Sequence, residues 1–299
     1  MKMKDVIIIG GGPAGISCAI QLARYDIKPL IFEKKSLGGL LLNANCVENY
    51  PGFPNGIKGA ELAELMREQL RKQNVEVLFE EVEELDLNEG LLKTTTKKSL
   101  YYSEYVVLCS GTKPKKFKDC PIPSELRSRV FYEVYPITSI KNKKIAIVGA
   151  GDAAFDYALN LSKNNEIIIL GRGETPNCIP VLLSRVEKSK KIDYIKKIKL
   201  EKILSSSKGR ILFECRTPEE SRNIEADYLL FAIGRVPCLD FLSARLNQDL
   251  DKNRENIGLY LAGDVKNNIF RQTAISAGDG VKVAMEIYNK IKDTKKWKL

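Results

Sequence analysis

One stretch, Asp5–Ile20 (DVIIIGGGPAGISCAI), constrains the fold of this chain more than any other. Val6–Ile9 are four consecutive β-branched residues, the pattern of a strand buried on both faces. Gly10, Gly12 and Gly15 then spell G-x-G-x-x-G, with Pro13 and Ala14 inside the same turn. Ile16, Ala19, Ile20 and Ala23 recur at helical spacing behind it. The three glycines do different things. Gly10 makes the tight turn, Gly12 lets a pyrophosphate approach the backbone, and Gly15 lets helix and strand pack closely. The start of that helix faces the phosphates with unpaired N–H groups and the positive end of its dipole. Alone, a G-x-G-x-x-G is weak evidence. Here a second strand, Pro29–Phe32, ends at Glu33, placed to accept both hydroxyls of an adenosine ribose. Strand, glycine turn, helix and acid together define a dinucleotide site.

The pattern occurs twice. Lys144–Val148 reads as another buried strand, and Gly149-Ala150-Gly151-Asp152-Ala153-Ala154 opens the next helix as G-x-G-x-x-A. The strand Glu166–Leu170 that follows runs into Gly171-Arg172-Gly173-Glu174. No acid stands at its end to claim a ribose hydroxyl, whereas Arg172 suits a 2′-phosphate, which favours NADP over NAD. Two such units predict an α/β fold of two dinucleotide-binding, Rossmann-like (three-layer ββα) domains with two ligands.

Composition narrows the class. The 299 residues allow about two domains at roughly 150 residues each. No apolar run is long enough to span a membrane, and MKMKDVIII enters the first strand without room for a signal peptide. The seven cysteines (Cys18, Cys46, Cys109, Cys120, Cys178, Cys215, Cys238) are scattered, and histidine is absent, which argues against a zinc site. Most of them are expected as small buried hydrophobes in a chain of the reducing cytoplasm. The net charge of +10 comes without the aromatic-interleaved basic motif of a nucleic-acid binder. It is uneven: Lys113–Lys144 holds nine Lys/Arg against three Asp/Glu, a net of +6. Such a segment is either a solvated lysine surface or a guide for an acidic partner.

Between the two turns, Gly38-Gly39 and Pro51-Gly52-Phe53-Pro54 punctuate an irregular connection. A helix is expected over 59–73 with Leu62, Leu65, Met66 and Leu70 on one face, then a meander from Val82 and a buried strand at Tyr105–Cys109. GGGPAG at Gly10–Gly15, VENYPGFP at Val47–Pro54, SGTKP at Ser110–Pro114, GAGDAA at Gly149–Ala154, AIGRVP at Ala232–Pro237 and AGDVKNNIFRQTAISAGDG at Ala262–Gly280 follow in this order. In that set and spacing the chain resembles the low-molecular-weight thioredoxin reductases along essentially its whole length.

The resemblance implies an FAD-binding domain from residues 1–113 and 239–299, and an NAD(P)-binding domain, 114–238, inserted into it. Around FAD it places the first glycine turn with Glu33, Lys34, Gly39, Leu40, Asn49, Val82, Ser110, Gly111, Gly263, Asp264, Arg271, Gln272 and Thr273. Around the nicotinamide nucleotide it places Gly149, Gly151, Asp152, Ala153, Ala154, Arg172 and Gly234. Asp264 resembles the acid that bonds the flavin ribityl chain, and a homodimer is implied. In the family a richer basic cluster stands beside Arg172, where this chain has Gly173 and Asn177.

The largest departure concerns the chemistry. Where those reductases carry a redox-active C-x-x-C, this chain has Tyr132-Glu133-Val134-Tyr135, and no two cysteines lie closer in sequence than Cys109 and Cys120. A second thiol is what resolves the mixed disulfide formed by the first. The expectation is an NAD(P)H oxidoreductase that passes electrons through flavin to an external acceptor: ferredoxin, flavodoxin or a small oxidant. The alternatives are a disulfide reductase using Cys46 beside Val47–Tyr50, a ferredoxin-dependent flavoenzyme, and a flavin-binding subunit without turnover. The end, KDTKKWKL, is expected to fray, and it is shorter than in some ferredoxin reductases of this type.

Overall fold

The computed structural model describes residues 2–249 and 254–296. They form two compact units: one from the described residues of 1–42, 47–113 and 236–299, the other from 43–46 and 114–235.

The first unit begins with β1 (Lys2–Ile9), α1 (Pro13–Ala23) and β2 (Leu30–Phe32), continues through α2 (Gly59–Arg71) and β3 (Glu76–Leu78), and then runs as β4 (Val82–Asn88), β5 (Leu91–Thr96) and β6 (Leu100–Leu108). Val6, Ile7 and Ile8 are wholly buried, which is why this strand reads as an unbroken apolar run. β6 is the hub. It pairs in parallel with β1 from Lys2↔Tyr101 to Ile9↔Leu108, and its first half pairs antiparallel with β5.

The chain leaves along β7 (Thr112–Pro114). In the second unit follow β8 (Val130–Phe131), β9 (Lys144–Val148), α3 (Asp152–Leu161), β10 (Glu166–Leu170), α4 (Pro180–Glu187) and β11 (Ile192–Ile195). A meander of β12 (Lys199–Ser205), β13 (Ile211–Arg216) and β14 (Ser221–Ala226) precedes β15 (Tyr228–Phe231). The parallel sheet has the order β11-β10-β9-β15-β8. One core, including Phe213 and Phe231, lies toward the meander, and another, including Phe155 and Ile147, lies toward α3 and α4. This is a three-layer ββα arrangement, with the sheet buried on both faces.

The return strand β16 (Arg235–Pro237) pairs with β7. The first unit is then completed by α5 (Ala244–Asp249), β17 (Leu259–Leu261) and α6 (Thr273–Lys296). β17 docks on the second half of β6, Leu259↔Val106 to Leu261↔Leu108, so the first and last strands of this unit share one neighbour.

Some expectations shift. Leu65 is exposed, and the buried face of α2 is Leu62, Ala63, Met66 and Leu70. Helical rotation separates Leu65 from Met66 by about 100°, enough to leave the core. In α1, Cys18 and Leu22 are buried, whereas Ile20 and Ala23 are half-buried. α6 runs as far as Lys296 and so includes the first five residues of KDTKKWKL, and Trp297–Leu299 lie outside the described residues. Among the described residues no helix is long and apolar enough to cross a membrane.

Candidate functional site: two glycine turns

In the first unit, Gly10 leaves β1 with φ +109°, and a Cβ there would lie 2.2 Å from the Cys109 carbonyl oxygen. Gly15 is as constrained, since its Cβ would meet the Gly10 oxygen at 1.9 Å. Gly12 caps α1 in extended geometry, with Pro13 at the first helical position, and a Cβ added to it would meet nothing within 4 Å. Two glycines are therefore required by the protein's own backbone, and the third faces open space. That is the division of labour a pyrophosphate site demands.

Glu33, at the end of β2, turns back onto this loop. Its Oε2 accepts a hydrogen bond from Gly11 N at 2.8 Å and its Oε1 one from Lys35 N at 2.8 Å. A carboxylate has about four lone-pair sites, so two bonds leave capacity for ribose hydroxyls. Lys34 pairs with Glu81 at 3.4 Å, next to Val82 at the start of β4. Gly38 N donates to Gly11 O at 2.7 Å, and Gly39 (φ +54°) lies so close that its Cβ would stand 3.2 Å from Gly12 Cα. Leu40 follows in the short 3-10 helix Gly39–Asn43.

The C-terminal part of the chain reaches the same place. Cys109 N donates to Ile9 O at 2.8 Å, which sets Ser110 and Gly111 (φ +63°) beyond the β1 and β6 ends, and Ser110 Oγ donates to Cys238 O at 2.7 Å. Gly263 and Gly280 both approach Ala14, where added Cβ atoms would come within 2.8 Å of its Cβ and 2.1 Å of its carbonyl oxygen respectively. Asp264 Oδ1 accepts from Ser276 Oγ at 3.0 Å. Asn49 Nδ2 donates to Gln272 Oε1 at 3.0 Å, just ahead of Thr273 at the start of α6. Arg271 Nε is buried and has no hydrogen-bond partner in the structure. Open space over Gly12, spare acceptor capacity on Glu33 and an unsatisfied donor on Arg271 all suit the FAD that the resemblance implies.

Sequence reasoning missed Asp279. Its carboxylate accepts from Gly263 N at 3.1 Å and Asn267 Nδ2 at 2.6 Å, and pairs with Lys266 at 3.0 Å, so it fixes the loop ahead of α6. The signal available was only its place in the AGDG of Ala277–Gly280, one residue before the glycine that meets Ala14.

The second unit repeats the turn. Gly149 has φ +136° and its Cβ would lie 2.3 Å from Ala232 O, the counterpart of Gly10 against Cys109. Gly151 caps α3, followed by Asp152, Ala153 and the buried Ala154. Asp152 Oδ1 accepts from Ile179 N at 2.7 Å, so this acid holds the loop after β10. Arg172 is exposed and lies 3.7 Å from Asp119. Gly234 has φ +99°, and the stem of Lys115 crosses it, 3.6 Å from where a Cβ would be.

Along Tyr132–Tyr135, Tyr132 and Val134 pack into this unit's cores, whereas Tyr135 is exposed. Tyr132 stacks on Phe231 with ring centroids 5.2 Å apart, and its oxygen accepts from Phe117 N at 3.3 Å. Val134 is fully buried, and Tyr135 N donates to Asn43 Oδ1 at 3.0 Å. Cys46 is free and half-buried, in the segment Asn43–Cys46 that packs with the second unit. Asn45 holds that segment by donating from N to Asp156 at 2.9 Å and accepting from Lys163 at 2.7 Å. Burial pushes the thiols of Cys18, Cys109, Cys120, Cys178 and Cys215 up, opposite to what a nucleophilic thiol requires.

A family model, pyridine nucleotide-disulphide oxidoreductase, matches residues 4–280. Thioredoxin reductase 1 of Saccharomyces cerevisiae is 29% identical, with 96% of this chain and 97% of that protein covered. Thioredoxin reductase of Rickettsia conorii is 30% identical, with 94% and 96% covered. The crystal structure of Lactococcus lactis thioredoxin reductase superposes with a TM-score of 0.85 at 25% identity, over 97% of this chain and 99% of that one. Matched over nearly all its length and carrying both glycine turns, the chain belongs to the pyridine nucleotide-disulphide oxidoreductase family, as an FAD-containing, NAD(P)H-dependent oxidoreductase of thioredoxin reductase-like fold.

Proposed function

We propose that this chain takes reducing equivalents from NAD(P)H and hands them, by way of FAD, directly to an acceptor outside the chain. The first unit would hold FAD through Gly10–Gly15, Glu33, Asp264 and Arg271–Thr273, and the second would hold the nicotinamide nucleotide at Gly149–Ala154. Flavin supplies the ability to accept two electrons together and release them one at a time. The protein's part is binding and electrostatics. The unpaired N–H groups at the start of α6 provide positive potential that favours negative charge nearby. Exposed Arg127, Lys141 and Lys143 of the basic stretch favour an acidic acceptor such as ferredoxin or flavodoxin.

The observation that carries this reading is Tyr132–Tyr135. Where relatives of this type would exchange thiols, the chain has an aromatic ring stacked into its own core and a buried valine. A second reading, reduction of a disulfide, is favoured by the names of the relatives, which are thioredoxin reductases. Cys46 is the thiol it would use. Anaerobic titration with NADPH and NADH, followed by mixing with thioredoxin or with an acidic one-electron carrier, separates the two. Direct transfer predicts carrier reduction in both wild type and Cys46→Ser, and no thioredoxin reduction. Fast thioredoxin reduction that disappears in Cys46→Ser would establish the disulfide route instead.

A further inference from the structure

α6 carries two polar residues on the side that it turns to the core. Ser276 is buried, and Asp279, three residues on, has a side chain only 15% exposed. Val283, Ala284 and Ile287 continue that side as buried apolar residues. Neither serine nor aspartate favours a helix interior, and Asp279 stands past the first turn, where the positive end of the helix no longer favours an acid. A polar group taken out of water without a partner is costly, so both residues call for a tertiary partner. They find it on consecutive residues of the single 3-10 turn Gly263–Val265. Ser276 Oγ donates to Asp264 Oδ1 at 3.0 Å, and Asp279 accepts from Gly263 N at 3.1 Å. Lys266 and Asn267, just beyond that turn, close on the same Asp279 carboxylate at 3.0 and 2.6 Å.

We propose that Ser276 and Asp279 are positioning residues for FAD, which fix Asp264 relative to the pyrophosphate turn and so govern the hold on the flavin half of the cofactor but not on its adenosine half. The assignment rests on the reading of the first unit as the FAD site. α6 is the frame for that spacing. A Cβ added to Gly280 would lie 2.1 Å from the Ala14 carbonyl oxygen, and one added to Gly263 would lie 2.8 Å from the Ala14 Cβ. Ala14 belongs to the first turn of α1, directly after the open Gly12. One helix therefore grips both the start of α1 and the turn that carries Asp264. In this reading FAD spans the two places, from pyrophosphate to ribityl chain, whereas ADP ends at the first. Removing the Ser276 hydroxyl takes from Asp264 a donor that orients its carboxylate. Removing the Asp279 carboxylate takes an acceptor from the Gly263 N–H and the Asn267 amide and leaves Lys266 without its acid.

Release of FAD from the purified flavoprotein on dilution, and calorimetric titration of the deflavinated full chain with FAD and with ADP, separate the two halves without turnover. Ser276→Ala and Asp279→Ala should each weaken FAD about tenfold and leave ADP within about twofold. Asp279→Asn, which keeps an oxygen for Gly263 N, should recover most of the loss. Because Ser276 acts through Asp264, the two effects should not add: in an Asp264→Ala background, Ser276→Ala should change FAD affinity less than about twofold. Undiminished FAD affinity in Ser276→Ala and Asp279→Ala overturns the proposal, as does weakening of FAD and ADP alike, which a general loosening of the fold would produce. A full Ser276→Ala effect in the Asp264→Ala background also overturns it. Flavin that neither NADPH nor NADH bleaches would remove the reaction proposed above, while these titrations would still decide the role of Ser276 and Asp279.

Discussion

Glu33 Oε2 accepts a 2.8 Å hydrogen bond from Gly11 N, tying the acid at the end of β2 to the glycine turn at the end of β1. The same carboxylate is therefore both a clamp on the turn and the acceptor offered to a ribose. Replacing it with alanine removes two charge-assisted bonds to backbone N–H groups. It also removes the acceptor offered to the ribose, and at about 1.5–3 kcal/mol for one charge-assisted bond from a ribose hydroxyl, FAD affinity should fall roughly ten- to a hundredfold. The ratio of flavin to protein absorbance after purification, and titration of the apoprotein with FAD, measure the change. Undiminished affinity would show that Glu33 does not contact the cofactor.

Gly10 and Gly12 should respond to substitution in opposite ways. At Gly10 even alanine drives a Cβ to 2.2 Å from Cys109 O at φ +109°, so Gly10→Ala should lower the melting temperature whether or not FAD is present. Gly12 has an ordinary φ of −78° and open space, so Gly12→Val should fold and melt like wild type as apoprotein but fail to retain flavin. A Gly12→Val protein that purifies yellow at full stoichiometry contradicts the assignment of that space to pyrophosphate.

The buried thiols predict alkaline instability. Cys215 is pushed up to about 11 by burial, and Cys109 is raised well above its ordinary range by burial, with Cys18 and Asp279 adding to it. A thiol whose folded pKa exceeds its unfolded value, about 8.5, contributes stability that is whole below the unfolded pKa and is lost as pH climbs toward the folded one. Denaturant midpoints should therefore decline from about pH 8.5 upward, and the slope in that window should be shallower in Cys215→Ala. Identical slopes would show that this thiol ionises no differently in the folded chain.

Acceptor reduction should depend on salt if the acceptor is an acidic carrier. Exposed charges are screened over about 10 Å at 0.1 M ionic strength, so the second-order rate should drop steeply between 20 and roughly 200 mM salt. Stopped-flow mixing of reduced protein with flavodoxin measures it, and Lys141→Glu combined with Lys143→Glu should lower the low-salt rate about tenfold or more. A rate indifferent to both changes removes the electrostatic docking and leaves direct transfer in place.

Both glycine turns and their strands were legible in the sequence, because each depends on neighbours within about thirty residues, whereas the bond from Gly11 N to Glu33 was seen only in the structure. Gly10 and Gly149 hold the tight-turn position of their motifs, where the backbone takes positive φ, and the β-branched run Val6–Ile9 announces burial on both faces. That no two cysteines stand closer in sequence than Cys109 and Cys120 was legible too, as a plain matter of residue identity.

What the chain order alone left open were contacts between segments far apart in sequence. Leu65 read as core and is exposed, since periodicity fixes a helix face only to within a residue and the neighbouring elements decide where it falls. Asp279 reaches back to Gly263, and Lys115 lies across Gly234 more than a hundred residues away, through geometry that no local pattern encodes. Local backbone preferences and short-range periodicity determined the two binding turns; the long-range closure of each sheet decided which charges surround them.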